Sequence, residues 1–113
     1  MRRTYRATVR GRFEELGEAQ RQALRAAQSA HGMFAARFTA EGVFLYGPEL
    51  VGYQFRYEIA VDEESPADAE LMAGMRAEEQ AARDLGERGL RGRIVQVSTV
   101  SVDDMKVRTG ARR

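Results

Sequence analysis

The chain has 113 residues, a mass of 12.7 kDa and a formal net charge of +1. This length fits one domain with one core, and the balanced charge excludes a whole-molecule field that draws the chain to nucleic acid or a membrane surface. The sequence contains no cysteine, which excludes disulfides and thiolate chemistry. Because no run of about 18 apolar residues occurs, we expect a cytoplasmic protein with no membrane partner.

The N-terminal part predicts a strand, a helix and two short extended pieces. Residues 4–13 alternate between apolar and polar side chains, which is typical of a half-buried strand. Helical spacing then predicts helix one over residues 17–31, ended by Gly32. Residues 33–40 and 43–46 are extended pieces, and Glu41-Gly42 between them indicates either a tight hairpin or a bulge within one strand.

The C-terminal part contains the strongest strand signal of the chain. Over residues 53–61, one side carries Tyr53, Phe55, Tyr57, Ile59 and Val61. Ser65 and Pro66 then predict the start of helix two, because serine is a good N-cap and proline suits the first helical position. Helix two ends at Gly86 and Gly89, and a last strand follows over residues 93–102. The expected buried stripe of helix two is Leu71, Met72, Met75, Ala82 and Leu85.

The order of elements predicts an α+β domain of the ferredoxin-like, split βαβ type. We expect an antiparallel sheet of four or five strands with two helices on one face. In this arrangement the first strand and the strand over residues 53–61 are predicted to be central, parallel neighbours. The domain is predicted to span residues 1–107, followed by a basic, disordered tail over residues 108–113.

Arginines dominate the predicted open face of this sheet. Arg6, Arg10 and Arg12 come from the first strand, and Arg56 and Glu58 come from its neighbour. Guanidinium groups gathered there can hold a carboxylate or phosphate in bidentate fashion, so Arg6, Arg10, Arg56 and Glu58 are the candidate ligand-binding residues. The alternative is a solvated face that carboxylates neutralise. Codon preference then explains the many arginines, since Lys106 is the only lysine.

Two residues are candidate proton carriers. His31 is the only imidazole of the chain, and Tyr57 is the second candidate catalytic residue. The alternative for His31 is a capping role at the end of helix one. No phosphate loop or dinucleotide fingerprint occurs, so we expect no cofactor and no metal. The alternation of residues 53–61 turns the rings inward, which argues against base stacking, and we do not expect nucleic acid as a partner.

Several blocks of the sequence resemble a known family. They are Tyr5-Arg6, Val9 to Phe13, Gln20-Arg21, His31, Phe38-Thr39, Gly42, Phe55-Arg56 and Asp104-Met105. Together they resemble a family of short actinobacterial proteins that is known only as a domain of unknown function, and the resemblance implies no activity. The chain is also similar, more loosely, to dimeric α+β barrel proteins, which include polyketide cyclases and cofactor-free monooxygenases.

Two functions are compatible with these features. The first is binding of a small anionic or aromatic metabolite, with a possible cofactor-free acid–base reaction of the cyclase or isomerase type in specialised metabolism. The second is a non-enzymatic module for protein–protein interaction. In either case we expect a homodimer, because a second copy easily completes a small open sheet.

Overall fold

The fold of the protein was taken from a computed structural model, which describes residues 2–28 and 37–102. The strands are β1 (Arg2–Glu14), β2 (Val43–Tyr46), β3 (Gly52–Asp62) and β4 (Arg91–Ser101), and the helices are α1 (Glu18–Ala26) and α2 (Pro66–Glu87). The strands form one four-stranded sheet in the order β2-β3-β1-β4. All neighbouring strands are antiparallel, which confirms the predicted α+β class and the antiparallel sheet.

The predicted parallel pairing of the two central strands is wrong. β1 and β3 are neighbours, but they run antiparallel, with Arg2 opposite Asp62 and Arg12 opposite Gly52. The reason lies in the short connection over residues 47–51, which forces β3 to fold back against β2. β2 therefore runs in the same direction as β1, and β3 runs in the opposite direction between them.

Several predictions fall on residues that the structure does not describe. Helix α1 ends at Ala26, and residues 29–36, which include His31 and the predicted terminator Gly32, lie outside the described residues. The same holds for residues 103–113, which include the predicted tail. Near the start of the second described segment, Thr39 forms an isolated bridge to Tyr57 of β3.

The start of α2 agrees with its sequence signature. Ser65 is the N-cap residue, and its side-chain oxygen accepts a hydrogen bond from the backbone N–H of Asp68 at 3.4 Å. Pro66 occupies the first helical turn, where its missing N–H costs nothing. At the other end, Gly89 has φ +72°, the left-handed conformation that glycine adopts without strain.

The predicted buried stripe of α2 is confirmed for Leu85 and in part for Met72, which packs against the core, and it is wrong for the other three residues. Leu71 and Met75 are 64% and 54% exposed, and Ala82 is also exposed. The residues that face the sheet are four small ones spaced four apart and a leucine, namely Ala69, Ala73, Ala77, Ala81 and Leu85. Because the rings of β3 already fill the space above the sheet, the helix approaches it through methyl groups, and larger side chains turn outward.

The core lies between α2 and one face of the sheet, and Leu24 of α1 completes it. Six of the buried core residues are aromatic. The rings of Phe44 and Phe55 stack with centroids 4.8 Å apart, and those of Phe55 and Tyr57 with centroids 5.9 Å apart. Glycines make room for two of the tyrosines, since Gly11 lies beneath Tyr53 and Gly42 beneath Tyr57. The core therefore combines large rings with the smallest residues.

Gly11→Ala tests this complementarity. An added Cβ would lie 2.2 Å from Cζ of Tyr53, so the ring must move, and we expect the free energy of unfolding to fall by about 1–3 kcal/mol in a urea titration. Gly86→Ala is the matched control. No atom lies within 4 Å of an added Cβ at this helical position, so that variant should gain roughly 0.5–1 kcal/mol. Equal urea midpoints for the two variants would contradict the packing described.

Candidate functional site

The side of the sheet opposite the core carries the predicted ligand-binding residues, and we call it the arginine face. The structure brings Arg6 and Arg10 of β1 together with Arg56 and Glu58 of β3 on this side, because these positions alternate with the buried residues of both strands. The strand register places Arg6 opposite Glu58 and Arg10 opposite Gln54. Cross-strand partners point to the same face, so these side chains form one continuous surface.

Two arginines of this face, Arg10 and Arg56, are held by neutral amides. Arg10 donates to Oε1 of Gln96 at 3.3 Å. Arg56 donates to Oε1 of Gln54 from Nε at 3.3 Å and from Nη2 at 3.2 Å. Within residues 2–28 and 37–102, neither of them nor Arg6 forms an ion pair, although Glu58 stands directly across from Arg6. The amides orient the guanidinium groups and leave their charge in place.

Phe38 gathers two of these charges around one aromatic ring. The guanidinium carbons of Arg6 and Arg56 each lie 5.6 Å from the centroid of the Phe38 ring. A cation–π contact at an exposed site contributes about 0.5–1 kcal/mol, which partly offsets the repulsion between the two like charges. An anion placed beside the ring would remove that repulsion. This group of residues therefore has the charge and geometry for an anionic ligand.

Two shallow cavities adjoin the arginines. One has a volume of about 300 Å³ and is lined by Arg10, Gln54 and Leu45 of β2. The other has a volume of about 550 Å³ and is lined by Arg10, Arg12, Arg93 and two valines, Val51 and Val95. These volumes suit small molecules, whose pockets measure roughly 300–1,000 Å³. The smaller cavity combines one guanidinium group with an apolar surface, and the larger one combines three.

Tyr57 lies on the other side of the sheet from the arginines. Its side chain is fully buried in the core, and its hydroxyl donates to Oδ2 of Asp84 in α2 at 2.7 Å. Burial raises the pKa of Tyr57 well above its ordinary value, and the hydrogen bond to Asp84 raises that pKa further. The structure therefore does not bring Tyr57 together with Arg6, Arg10 and Arg56, and one small ligand cannot contact both sets. His31 lies outside the described residues.

Sequence reasoning missed three residues of this site. Phe38 comes from a segment outside the sheet, and its contact with two strands depends on how the chain returns to β3. Gln96 becomes a partner of Arg10 only through the pairing of β1 with β4. Gln54 could have been found, since it alternates with Tyr53 and Phe55 and lies two residues before Arg56.

In residues 2–28 and 37–102 no group of three or more His, Cys, Asp or Glu side chains is arranged to hold a metal ion. Neither of the helices in that part of the chain is long and apolar enough to cross a membrane.

Comparison with known proteins yields one match. The sequence model of a family described as a family of unknown function (DUF6204) matches residues 1–113. No curated protein matches the chain, and no solved structure matches it.

Tyr57→Phe tests the buried hydrogen bond. The change leaves the carboxylate of Asp84 without its donor, and we expect the free energy of unfolding at pH 7 to fall by about 2 kcal/mol in a urea titration. The effect should also depend on pH. Because the folded state raises the pKa of Tyr57, its contribution is complete below the ordinary value of 10.0 and is lost as the pH rises above it.

The wild-type protein should therefore lose stability between about pH 9.5 and 11.5, with up to about 1.4 kcal/mol per pH unit coming from this one group. Tyr57→Phe should show a shallower decline over the same interval. Equal slopes for the two proteins would contradict the role assigned to the hydroxyl.

Proposed function

We propose a function from the site itself, because the chain belongs to DUF6204, a family of unknown function, and membership supplies no activity. The proposal is that the arginine face binds a small anionic metabolite with an aromatic or apolar part. The observation that carries it is the set of guanidinium groups of Arg6, Arg10 and Arg56, which point to one side and have no carboxylate partner among the described residues.

The charge balance of the face supports an anionic ligand. A guanidinium that is fixed by an amide keeps its full charge and still has free N–H donors in the geometry that fits a carboxylate or phosphate. Placing arginines together without a paired carboxylate costs free energy through repulsion, and a bound anion turns that cost into attraction. The same residues on a purely solvated face would gain from neighbouring carboxylates.

The apolar neighbours support a ligand with a ring or an alkyl part. Phe38 stands between Arg6 and Arg56, and Leu45 is fully buried beside Arg10 and Gln54. An aromatic acid can place its carboxylate on the guanidinium groups and its ring against Phe38. Phosphate alone uses only the charged part of the surface, so an aromatic anion should bind more tightly.

The enzymatic version of this proposal adds a proton-transfer step to ligand binding. Such a step requires a proton carrier on the same face as the ligand. Tyr57 is separated from that face by the sheet, whereas the exposed carboxylate of Glu58 lies across from Arg6. Glu58 is therefore the described residue that we propose for a cyclisation or isomerisation, with His31 of the undescribed segment as the other candidate.

A thermal-shift titration tests ligand binding. Phenyl phosphate, benzoate and inorganic phosphate are added to the wild-type protein and to Arg6→Gln and Arg56→Gln. A ligand present at about 100 times its dissociation constant stabilises the native state by about 2.7 kcal/mol, which gives a clear rise in melting temperature. We expect the largest rise with phenyl phosphate, and we expect either substitution to reduce it.

Arg25→Gln is the matched control, because Arg25 is an exposed arginine of α1 that lies outside the arginine face. It should retain the full response to phenyl phosphate. The proposal is wrong if Arg25→Gln and Arg56→Gln lower the response equally, since the effect then reflects net charge alone, or if no anion raises the melting temperature.

We also propose a more specific fold within the α+β class. We assign the ferredoxin-like, split βαβ arrangement to this chain. It is supported by the placement of β3 between β1 and β2, which run in the same direction and are joined through α1. In this arrangement the sheet keeps one face for its helices and leaves the other available to a ligand.

A second candidate function is association with another protein chain, and the exposed apolar side chains of α2 favour it. Leu71 and Met75 line a groove of about 260 Å³ between α2 and Val97 of β4. β4 is an edge strand, and residues 94–101 carry no charge. Natural edge strands normally carry charges or prolines that block further pairing. The absence of such residues from this stretch indicates that another strand pairs with it.

The occupant that we propose is a second copy of the chain. Basic residues, Arg91 and Arg93, stand at the start of β4, and acidic residues, Glu70 and Glu78, line the groove toward its other end. Antiparallel pairing of β4 with β4 of a second copy around a two-fold axis places each basic end against an acidic end. The same axis covers Leu71 and Met75 of both copies.

Sedimentation velocity tests this dimer. The wild-type protein should sediment as a dimer, and Leu71→Glu should sediment as a monomer, because the added carboxylate increases the negative charge of the acidic groove. Val51→Glu is the matched control, since Val51 is 53% exposed and lies outside the groove. A monomeric wild type, or a dimer that survives Leu71→Glu, would contradict the proposed interface.

A further inference from the structure

A cavity opens at the turn between α2 and β4, on the core side of the sheet. Its volume is about 780 Å³, within the range of small-molecule sites. Its apolar wall consists of Leu85 at the end of α2, Leu90 in the turn and Ile94 of β4. We call it the turn cavity. It shares no arginine with the arginine face, so it is independent of the function proposed above.

The side chain of Tyr53 lines the turn cavity, and the fold provides a place for its ring. The ring crosses two glycines, since an added Cβ would lie 2.2 Å from its Cζ at Gly11 and 2.8 Å from its Cε2 at Gly92. Tyr53 is only 3% exposed. Any side chain at either glycine would displace the ring, so both strands beside it are adapted to this tyrosine.

The Tyr53 hydroxyl differs from those of the other core tyrosines. The hydroxyls of Tyr5, Tyr46 and Tyr57 donate to the carbonyl of Pro66, the carbonyl of Leu24 and the carboxylate of Asp84. The Tyr53 hydroxyl makes no hydrogen bond to any residue in the described ranges, and its oxygen is not among the enclosed atoms there that lack a partner, so it is open to the cavity. A phenol oxygen that faces a cavity and has no partner among the described residues is available to accept a hydrogen bond from a ligand.

The charges around the cavity select the kind of ligand. Glu15 accepts a hydrogen bond from Nη1 of Arg91, and this ion pair neutralises the one cation among the described lining residues. Glu14 lines the same cavity and has no ion pair with a described residue. Burial raises the pKa of Tyr53, and the negative charge of Glu14 raises that pKa further, so the phenol stays neutral. The cavity therefore presents two carboxylates against one guanidinium, which leaves one net negative charge, together with a neutral hydroxyl.

We infer that the turn cavity binds an organic amine, with its ammonium group between Glu14 and the Tyr53 hydroxyl. The ammonium donates to the Glu14 carboxylate and to the phenol oxygen, both of which accept hydrogen bonds. The apolar part of the amine lies against Leu85, Leu90 and Ile94. A ligand with a carboxylate in place of the ammonium meets the charge of Glu14 and is repelled.

The test is a titration of the uniformly ¹⁵N-labelled full-length protein with phenethylamine, followed by NMR. We expect the backbone amide signals of Gly86, Leu90 and Gly92, which all line the cavity, to shift in a saturable manner. The affinity for neutral 2-phenylethanol should be lower by a factor of at least about ten, because this compound lacks the charge. Phenylacetate should produce no shift at these amides. Equal binding of the three compounds, or no shift with phenethylamine, overturns the inference.

Two pairs of variants separate the site from general effects on the fold. Tyr53→Phe keeps the ring and removes only the hydroxyl, and it should weaken phenethylamine roughly tenfold, as expected for one lost hydrogen bond of about 1.4 kcal/mol. Tyr5→Phe removes a hydroxyl that bonds to Pro66 and should leave the affinity unchanged. If both or neither of these variants weaken binding, Tyr53 does not hold the amine.

Glu14→Gln keeps the shape of an exposed side chain, so it provides a test that does not perturb the core. It should weaken phenethylamine at least tenfold and abolish the dependence of binding on salt concentration. Glu79→Gln, at an exposed position of α2, is its control and should bind as the wild type does. An unchanged affinity in Glu14→Gln overturns the inference, whatever the result at the arginine face.

Discussion

The structure depends on one packing constraint, which is that the large rings of β3 must fit between the sheet and α2. Tyr53 and Tyr57 find room only because glycines lie beneath them, Gly11 and Gly92 for the first and Gly42 for the second. The helix accepts the same rings because it presents a stripe of alanines to them. Interiors are packed at close to crystal density, so each of these two rings needs a position without a side chain beside it.

This constraint also decides the two surfaces outside the core. Because α2 turns small residues inward, Leu71 and Met75 are turned outward beside the uncharged edge of β4. Because Tyr53 crosses two strands, its hydroxyl reaches the turn cavity, whereas that of Tyr57 ends on Asp84. Monomeric domains normally avoid placing exposed leucine and methionine side chains beside an edge strand that has no pairing partner.

The sheet separates two kinds of electrostatic environment. On the arginine face, Gln54 and Gln96 fix guanidinium groups without neutralising them. At the turn cavity, Glu15 pairs with Arg91, and the carboxylate of Glu14 leaves one net negative charge. An amide can orient a charged partner, whereas a carboxylate both orients and cancels it. The distribution of glutamine and glutamate among the arginines therefore decides which ligand charge each surface can accept.

The sequence by itself determined the strands β1 and β3, the start of α2 and the side on which the arginines stand. These features depend on local rules, namely a period of two and a serine cap followed by proline. Strand direction, the alanine stripe of α2 and the contacts of Phe38, Gln96 and Tyr53 were decided only by the tertiary structure. Each depends on which distant segments meet and on how much volume remains between them, and no local pattern encodes either quantity.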